Sequence, residues 1–493
     1  MTLAQNRRVL DLAAFGAGAL FPFSLSPFDF WPLALAAPVV LFFATRTGST
    51  GRSVVRFYLF NLGMFGVGVS WIFVSIHTYG GASIFLAAVL VGIFVAAYSL
   101  VSIPLAYVYS RFFRSTVFAG VCGFTGLWVL QEWVRSWFLT GFPWLFLGYG
   151  VMGTPLAQFA PYVGVFGVSL VTLIAALSLC LAFEQQKVRW VLPFMLLLTG
   201  GFVLERIQLT EPDGSMTVSL VQGNVDQHVK WRPENRLPIL NRYLDASEDE
   251  WGRDLIVWPE ASITIFREFA GEYLDQLNHQ GRSRGTTVVL GIPDRDADGR
   301  FQNSIIALGE GEGGYIKRRL VPFGEYVPLE NILRGMISFF DLPMSRNRPG
   351  PSDQLPLQIG GRPVSASICY EVVYPELVRE AARSPALLLT VSNDTWFGAS
   401  IGPWQHLQMA RMRALENGRA MVRATNNGVT AVIDHRGRLQ ATLPQFEAGI
   451  LRHEVELRTG DTPFHRFGSR PTLAVSLLLL ICIQGHVLLR RIM

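Results

Sequence analysis

Three short stretches carry the side chains suited to making and breaking an acyl bond. At 255–262, Leu-Ile-Val-Trp-Pro-Glu-Ala-Ser runs an apolar strand into Pro259 and sets Glu260 beyond its carboxyl end. That end is where open α/β sheets bind ligands. At 315–328, Tyr-Ile-Lys-Arg-Arg-Leu-Val-Pro-Phe-Gly-Glu-Tyr-Val-Pro opens a cationic run with Lys317, and Pro322 and Gly324 force irregular backbone before Glu325. At 364–372, Val-Ser-Ala-Ser-Ile-Cys-Tyr-Glu-Val leads a strand into Cys369, followed by Tyr370 and Glu371. A nucleophile on a strand-to-helix turn meets substrate and has backbone N–H groups beside it that can stabilise an oxyanion.

Each stretch alone has a plainer explanation. Glu260 could favour a helix N-terminus. The Lys-Arg-Arg run could be a solvated face or touch anionic headgroups. Cys369 could be a small core hydrophobe. Together they make a chemical unit. A free thiol has a pKa of about 8.5, so little of it is thiolate at neutral pH. A buried carboxylate raised toward neutrality can serve as general base. A lysine beside them favours the thiolate and stabilises the tetrahedral oxyanion, which completes a thioester-forming set.

The elements that must position these groups follow from composition. The chain has 493 residues, 50% hydrophobic and only 16% charged, with a net charge of +5 and mean hydropathy +0.32. Soluble proteins carry about 25% charged residues. The deficit lies in residues 1–206, whose only acids are Asp11, Asp29, Glu132, Glu184 and Glu205. Eight apolar segments read as membrane spans, at about 9–25, 28–45, 57–76, 83–110, 116–138, 158–183, 190–207 and 471–489. Pro22, Pro27 and Pro32 break up the first two.

Basic residues mark every alternate connection: Arg7 and Arg8; Arg46, Arg52 and Arg56; Arg111 and Arg114; Lys187 and Arg189; Arg490 and Arg491. The positive-inside rule then makes both termini cytoplasmic, and the placement argues against nucleic acid as the partner of the positive charge. Glu132 and Arg135, three apart in the fifth segment, are functional candidates as intramembrane charges, and their spacing favours the plainer reading of a structural ion pair. Cys122, Cys180, Cys369 and Cys482 are too scattered for a disulfide framework, and Cys369 alone lies outside an apolar run.

The sequence therefore divides into a membrane domain at 1–207 with seven spans, a periplasmic domain at 208–470 and a final span at 471–493. In 208–470, strand-like runs at 216–222, 255–258, 287–291, 304–308, 364–369, 386–392 and 429–433 are interleaved with helical patterns at 233–247 and 404–418. That alternation indicates an α/β layered domain. The segment 331–344 is rich in Ile, Leu, Met and Phe and reads as an apolar arm at the membrane interface or packed on the domain. No metal cluster or phosphate-cradling loop appears, so no cofactor is expected.

The ordered Glu260, Lys317 and Cys369, in the contexts Trp-Pro-Glu, Lys-x-x-Leu-Val-Pro-Phe-Gly-Glu and Cys-Tyr-Glu, resemble the nitrilase superfamily. With eight apolar segments around that domain, nearly the whole chain resembles its membrane-embedded branch, the bacterial apolipoprotein N-acyltransferase family. Further matches are Val-Gln-Gly-Asn at 221–224, Ser-Asn-Asp-Thr-Trp-Phe-Gly at 392–398, Gly-Pro-Trp-Gln-His at 402–406, Arg-Ala-Thr-Asn-Asn-Gly at 423–428 and Leu-Thr-Gly-Phe-Pro-Trp at 139–144.

The resemblance implies an α-β-β-α sandwich carried by a polytopic helical membrane domain in the bacterial inner membrane, acting as a monomer. It implies transfer of an acyl chain from the sn-1 position of a phospholipid, typically phosphatidylethanolamine, to the α-amine of a diacylglyceryl-cysteine that begins an apolipoprotein. It makes Glu260 the base, Cys369 the nucleophile and Lys317 the oxyanion stabiliser. Glu325, Tyr370 and Glu371 support them, and Trp231 lies on the substrate side. A membrane-tethered amidohydrolase and a transporter or receptor with an inactive nitrilase-like module remain as readings from other classes. The complete triad speaks against the second, and the apolar segments against the first.

Overall fold

Alternation along the strands decides which face of each sheet is dry. In Leu255-Ile-Val-Trp258, Leu255 and Val257 point one way while Ile256 and Trp258 point the other, and all four are buried. Both faces of this strand must therefore be covered. The computed structural model, which describes residues 7–327, 347–381 and 385–492, shows how. The arm expected at 331–344 lies outside the described residues.

Two six-stranded sheets form. The first has the order β12-β1-β2-β3-β4-β5, and the second β11-β10-β9-β8-β7-β6. The first contains β1 (Glu211–Gln222), β2 (Leu255–Val257), β3 (Thr287–Arg295), β4 (Phe301–Gly309), β5 (Gly314–Ile316) and β12 (Gly449–Thr459). The second contains β6 (Leu357–Ile359), β7 (Arg362–Ile368), β8 (Leu387–Ser392), β9 (Met421–Thr425), β10 (Ala431–Ile433) and β11 (Leu439–Thr442). Strands β1, β2 and β3 run parallel, as do β7, β8 and β9.

The inner faces share one core, in which Val218, Leu220, Leu255, Val257 and Val289 meet Val364, Ala366, Ile368, Leu389, Val391 and Val422. Ile256, Trp258, Val288 and Leu290 on the outer face of the first sheet pack under helices Arg236–Ser247 and Gly271–Arg284 through Ile239, Leu240, Tyr243, Leu274 and Leu277. Helices Pro375–Ala381 and Gly402–Asn417 lie on the second sheet. This is the expected α-β-β-α order. Full burial of each such aliphatic chain contributes about 1.5–3 kcal/mol, so the paired sheets form a rigid base for loops at their ends.

All seven expected strands are present, as are the helices expected near 233–247 and 404–418. This unit comprises Val74–Ala82 and Leu209–His465. Its short N-terminal piece holds a π-helical turn, Ser75–Tyr79. The Ser75 hydroxyl donates to the Trp396 carbonyl at 2.7 Å, and Tyr79 stacks on His228 with centroids 5.5 Å apart.

The other unit is helical: Met1–Phe73, Ser83–Gln208 and Arg466–Met493. Among the described residues, three helical stretches are long and apolar enough to cross a membrane: Ile84–Phe112, Val117–Arg135 and Pro155–Gln185. A fourth is counted if Thr50–Gly68 and Trp71–Tyr79, bent by 51°, form one span. This is fewer than the eight read from the sequence. The physical reason is length. Arg7–Leu20 has 14 residues and stops at the turn containing Pro22, and Pro32–Arg46 has 15. At 1.5 Å per residue each reaches only about 21–23 Å, against a hydrocarbon core of about 30 Å. The expected span at 57–76 also ends early, because the chain bends before Trp71 and residues 74–82 belong to the sandwich unit.

Small residues let these helices approach. A side chain at Gly18 would strike the backbone of Phe60, the contact small residues permit between apolar helices. Glu132 and Arg135 do not pair with each other as expected. Glu132 accepts from Trp128 Nε1 at 3.0 Å and from the Leu147 N–H at 2.7 Å, while Arg135 donates to the Trp144 carbonyl. Both side chains thus satisfy buried backbone groups of the irregular stretch after their helix, where backbone polar atoms need partners.

Candidate active site

Strand β2 ends at Val257, and the chain turns sharply through Pro259 and Glu260 into Ala261, which takes a left-handed φ of 46°. The turn is tied to β3, with the Ile263 N–H donating to the Gly291 carbonyl at 3.1 Å. Gly291 has to be glycine here, because a Cβ would lie 2.4 Å from the Ala261 nitrogen and 2.6 Å from the Pro259 carbonyl oxygen. Gly291→Ala is therefore expected to displace the Glu260 turn, cost about 1–3 kcal/mol of stability and lower activity by about 100-fold. Parallel rate and thermal-unfolding measurements check this. Unchanged activity would mean that the turn has room to spare.

Glu260 is 6% exposed. Its Oε1 accepts from Asn303 Nδ2 at 2.7 Å and Lys317 Nζ at 3.4 Å, and its Oε2 accepts from the Asn393 N–H at 2.7 Å. Three donors aimed at two oxygens suit a carboxylate. Lys317 follows β5 and is 1% exposed, so it is no solvated face. Its ammonium donates to Glu325 Oε1 at 2.8 Å as well as to Glu260. Glu325 Oε2 in turn accepts from the Val321 N–H at 2.8 Å, which closes the irregular loop that Pro322 and Gly324 announced. Burial lowers the Lys317 pKa, but Glu325 and Glu260 outweigh it and push it above the usual lysine value.

Cys369 stands at the end of β7, where the strand passes into the 3-10 turn Cys369–Val373. Its φ is 54°, a left-handed conformation that non-glycine residues hold only when their surroundings enforce it. Glu371 does much of the enforcing. This fully buried carboxylate accepts from the Ile368 N–H at 2.8 Å through Oε2. Through Oε1 it accepts from the Arg318 N–H at 2.6 Å, the Arg319 N–H at 3.0 Å and the Tyr315 hydroxyl at 3.0 Å. One side chain thus fastens the cysteine turn to the lysine loop. Burial, and then the charge of Glu260, push the Cys369 thiol above its ordinary value, while Lys317 opposes the shift. The thiol thus lies in the electrostatic field of a carboxylate and an ammonium.

The structure therefore brings Glu260, Lys317, Cys369, Glu325 and Glu371 into one cluster. Tyr370 is buried with its ring edge-on to Tyr374, 5.3 Å between centroids. Trp231 is half-buried beside Phe301 at 6.5 Å, and among the described residues its buried Nε1 has no hydrogen-bond partner.

Sequence reasoning gave no role to Asn303, Asn393 or Lys230. Asn303 bridges Glu260 and Glu325, at 2.7 and 3.4 Å. Lys230 is fully buried, donates to the Glu260 carbonyl at 3.2 Å, and is lowered by burial to about 8 against the pull of Glu260. For Asn303 the available signal was a polar run, Gln302-Asn303-Ser304, leading into the apolar remainder of its strand.

Residues 217–462 match the carbon-nitrogen hydrolase family model, and residues 17–180 match the apolipoprotein N-acyltransferase N-terminal domain. The chain is similar to the apolipoprotein N-acyltransferase of Pseudomonas syringae pv. tomato, 44% identical with 95% of each chain covered. It is also similar to that of Azotobacter vinelandii, 44% identical over 98% of this chain and 95% of the relative. Among solved structures, a carbon-nitrogen hydrolase from Helicobacter pylori matches with a TM-score of 0.36 and 14% identity, over 53% of this chain and 94% of that one.

Proposed function

This chain belongs to the apolipoprotein N-acyltransferase family, and from that premise we propose that it moves an acyl chain in two half-reactions through a thioester on Cys369. The enzyme is an acyltransferase of lipoprotein N-acylation. The donor in this reading is a phospholipid giving up its sn-1 chain, with phosphatidylethanolamine the natural candidate. The acceptor is the α-amine of a diacylglyceryl-cysteine. The observation that carries the reading is the convergence of Glu260 and Lys317 on a cysteine held at φ 54° beyond the carboxyl end of β7.

In the first half-reaction the thiol proton passes to Glu260 as sulfur attacks the ester carbonyl carbon. The carbonyl oxygen becomes an oxyanion beside the Lys317 ammonium. When the tetrahedral adduct collapses, the C–O bond breaks, the glycerol oxygen takes the proton back from Glu260, and lysophospholipid leaves. In the second, the acceptor amine attacks the thioester and loses a proton to Glu260. The C–S bond breaks, and the thiolate recovers that proton. Initial rates over a grid of both substrates should give parallel double-reciprocal lines. Intersecting lines would require a ternary complex and exclude the free acyl-enzyme.

The membrane part of the proposal keeps the topology suggested by the alternating basic connections, with both termini cytoplasmic and the sandwich periplasmic in the bacterial inner membrane. In that arrangement the short helices Arg7–Leu20 and Pro32–Arg46 enter from and return to the cytoplasmic side as a hairpin. An impermeant maleimide added to intact cells is expected to label Thr78→Cys, an exposed site in the sandwich unit, and to spare Ser115→Cys, an exposed site beside Arg114. The reverse pattern would invert the topology.

A further inference from the structure

Behind Cys369 lies a second charged cluster that the acyl-transfer steps do not use. Asp394 begins the turn after β8, His406 sits on helix Gly402–Asn417 and Arg423 on β9. None is more than 2% exposed. Asp394 accepts from the Ser392 hydroxyl at 2.6 Å through Oδ1 and from Arg423 Nη2 at 2.5 Å through Oδ2. His406 Nδ1 lies 3.0 Å from Asp394 Oδ1 and 3.0 Å from Arg423 Nη2. The other ring nitrogen, Nε2, lies 3.1 Å from the backbone carbonyl oxygen of Cys369.

That carbonyl can only accept, so Nε2 carries the proton. Burial, and then the Arg423 charge, hold the imidazole below its usual pKa against the pull of Asp394. Burial opposes ionisation of Asp394, but Arg423 and His406 outweigh it and keep the carboxyl well below the usual range. The imidazole is thus held in one orientation by a salt-bridged pair, with Nε2 donating to the Cys369 carbonyl. It reaches the main chain of Cys369, not the route taken by the thiol proton.

The consequence follows from peptide planarity. In a trans peptide the carbonyl of one residue and the N–H of the next point in opposite directions. Fixing the Cys369 carbonyl therefore fixes the Tyr370 N–H. The Ile368 N–H, on the other side of the left-handed residue, is held separately by Glu371.

Resting on the assignment of Cys369 as nucleophile, we propose that His406, oriented by Asp394 and Arg423, is a positioning residue for acyl transfer: by holding the Cys369 carbonyl it aims the Tyr370 N–H at the oxygen that becomes negative when the thioester forms. Lys317 and this N–H then approach that oxygen from two different elements. Glu371 and His406 divide the work, the first holding the turn to the lysine loop and the second setting the direction of the oxyanion donor.

The test separates carbonyl chemistry from thiol reactivity. Acyl-enzyme formation from detergent-solubilised phosphatidylethanolamine generates an oxyanion. Alkylation of Cys369 by iodoacetamide, which displaces iodide from carbon, does not. His406→Leu is expected to slow acyl-enzyme formation by about 10²–10³-fold, the usual loss for one oxyanion donor. The KM for phospholipid and the alkylation rate should each stay within about threefold. His406→Gln, whose amide can still donate to the carbonyl, should recover at least about tenfold of the loss. His406→Asn, polar but too short, replaces the Leu variant if that one does not accumulate, with the same split expected. A parallel fall in alkylation, or acylation within about threefold of wild type, overturns the proposal. Acyl transfer by Cys369→Ala would instead sink the nucleophile assignment, a separate outcome.

Discussion

Glu260→Gln is expected to slow acyl-enzyme formation by about 10²–10⁴-fold, the range a positioned general base contributes, in a protein that still folds. The substitution keeps the shape of the side chain and removes its basicity. Its structural cost is bounded by the partners. Asn303, Lys317 and the Asn393 N–H all donate to the carboxylate. Either orientation of the new amide sets an NH₂ against a donor, which costs about 1–3 kcal/mol for one unsatisfied buried group. Lys317 keeps Glu325 at 2.8 Å, so the oxyanion stabiliser stays charged. Single-turnover release of lysophospholipid, measured beside thermal unfolding, checks both halves. A loss below tenfold would show that the thiol proton goes elsewhere.

Glu371→Ala is expected to damage the fold and the chemistry together. It leaves four donors without their acceptor: the Ile368, Arg318 and Arg319 N–H groups and the Tyr315 hydroxyl. Hydrogen bonds to a charged group are worth about 1.5–3 kcal/mol each, and water entering the vacated space recovers part of that. A net loss of at least about 3 kcal/mol follows, or roughly 6–12 °C in the unfolding midpoint at the sensitivity of a domain of this size. Because the same carboxylate fastens the left-handed cysteine turn to the lysine loop, activity should fall by more than about 100-fold even below the midpoint. A variant with wild-type unfolding and a hundredfold loss would make Glu371 a participant in the reaction. One with lowered stability and full activity would show that the turn holds itself.

The apolar strands were legible because burial on both faces leaves few polar positions to confuse the pattern, as in 255–258 and 386–392. Strand β12 was not read, because Arg452, Glu454 and Glu456 alternate through it and it lies at a sheet edge. Helix Gly271–Arg284 was missed for a related reason, since it buries only Leu274, Leu277 and Gly281 and is otherwise polar. The count of membrane spans failed in the opposite direction. Apolar composition persists through Phe21–Ser24 and past Gly68, where the backbone turns or bends. Hydropathy measures solvent preference and is blind to those breaks.

At the site, Glu260, Lys317 and Cys369 were legible from their strand-end contexts. Asn303, Lys230 and the role of His406 were not, because each acquires meaning only from a partner 30 to 43 positions away. Nor does any residue type announce a φ of 54° at Cys369, which is imposed by Glu371 and the surrounding turn.

The acyl-enzyme itself is the most direct measurement. The purified enzyme is incubated with phosphatidylethanolamine in the absence of any lipoprotein acceptor and analysed by intact mass and peptide mapping. The account predicts one sn-1 acyl group per chain, carried on the Cys369 peptide, released by neutral hydroxylamine, transferred on addition of acceptor and absent from Cys369→Ala. Acyl transfer proceeding at the wild-type rate with no acyl group ever found on Cys369 would contradict it.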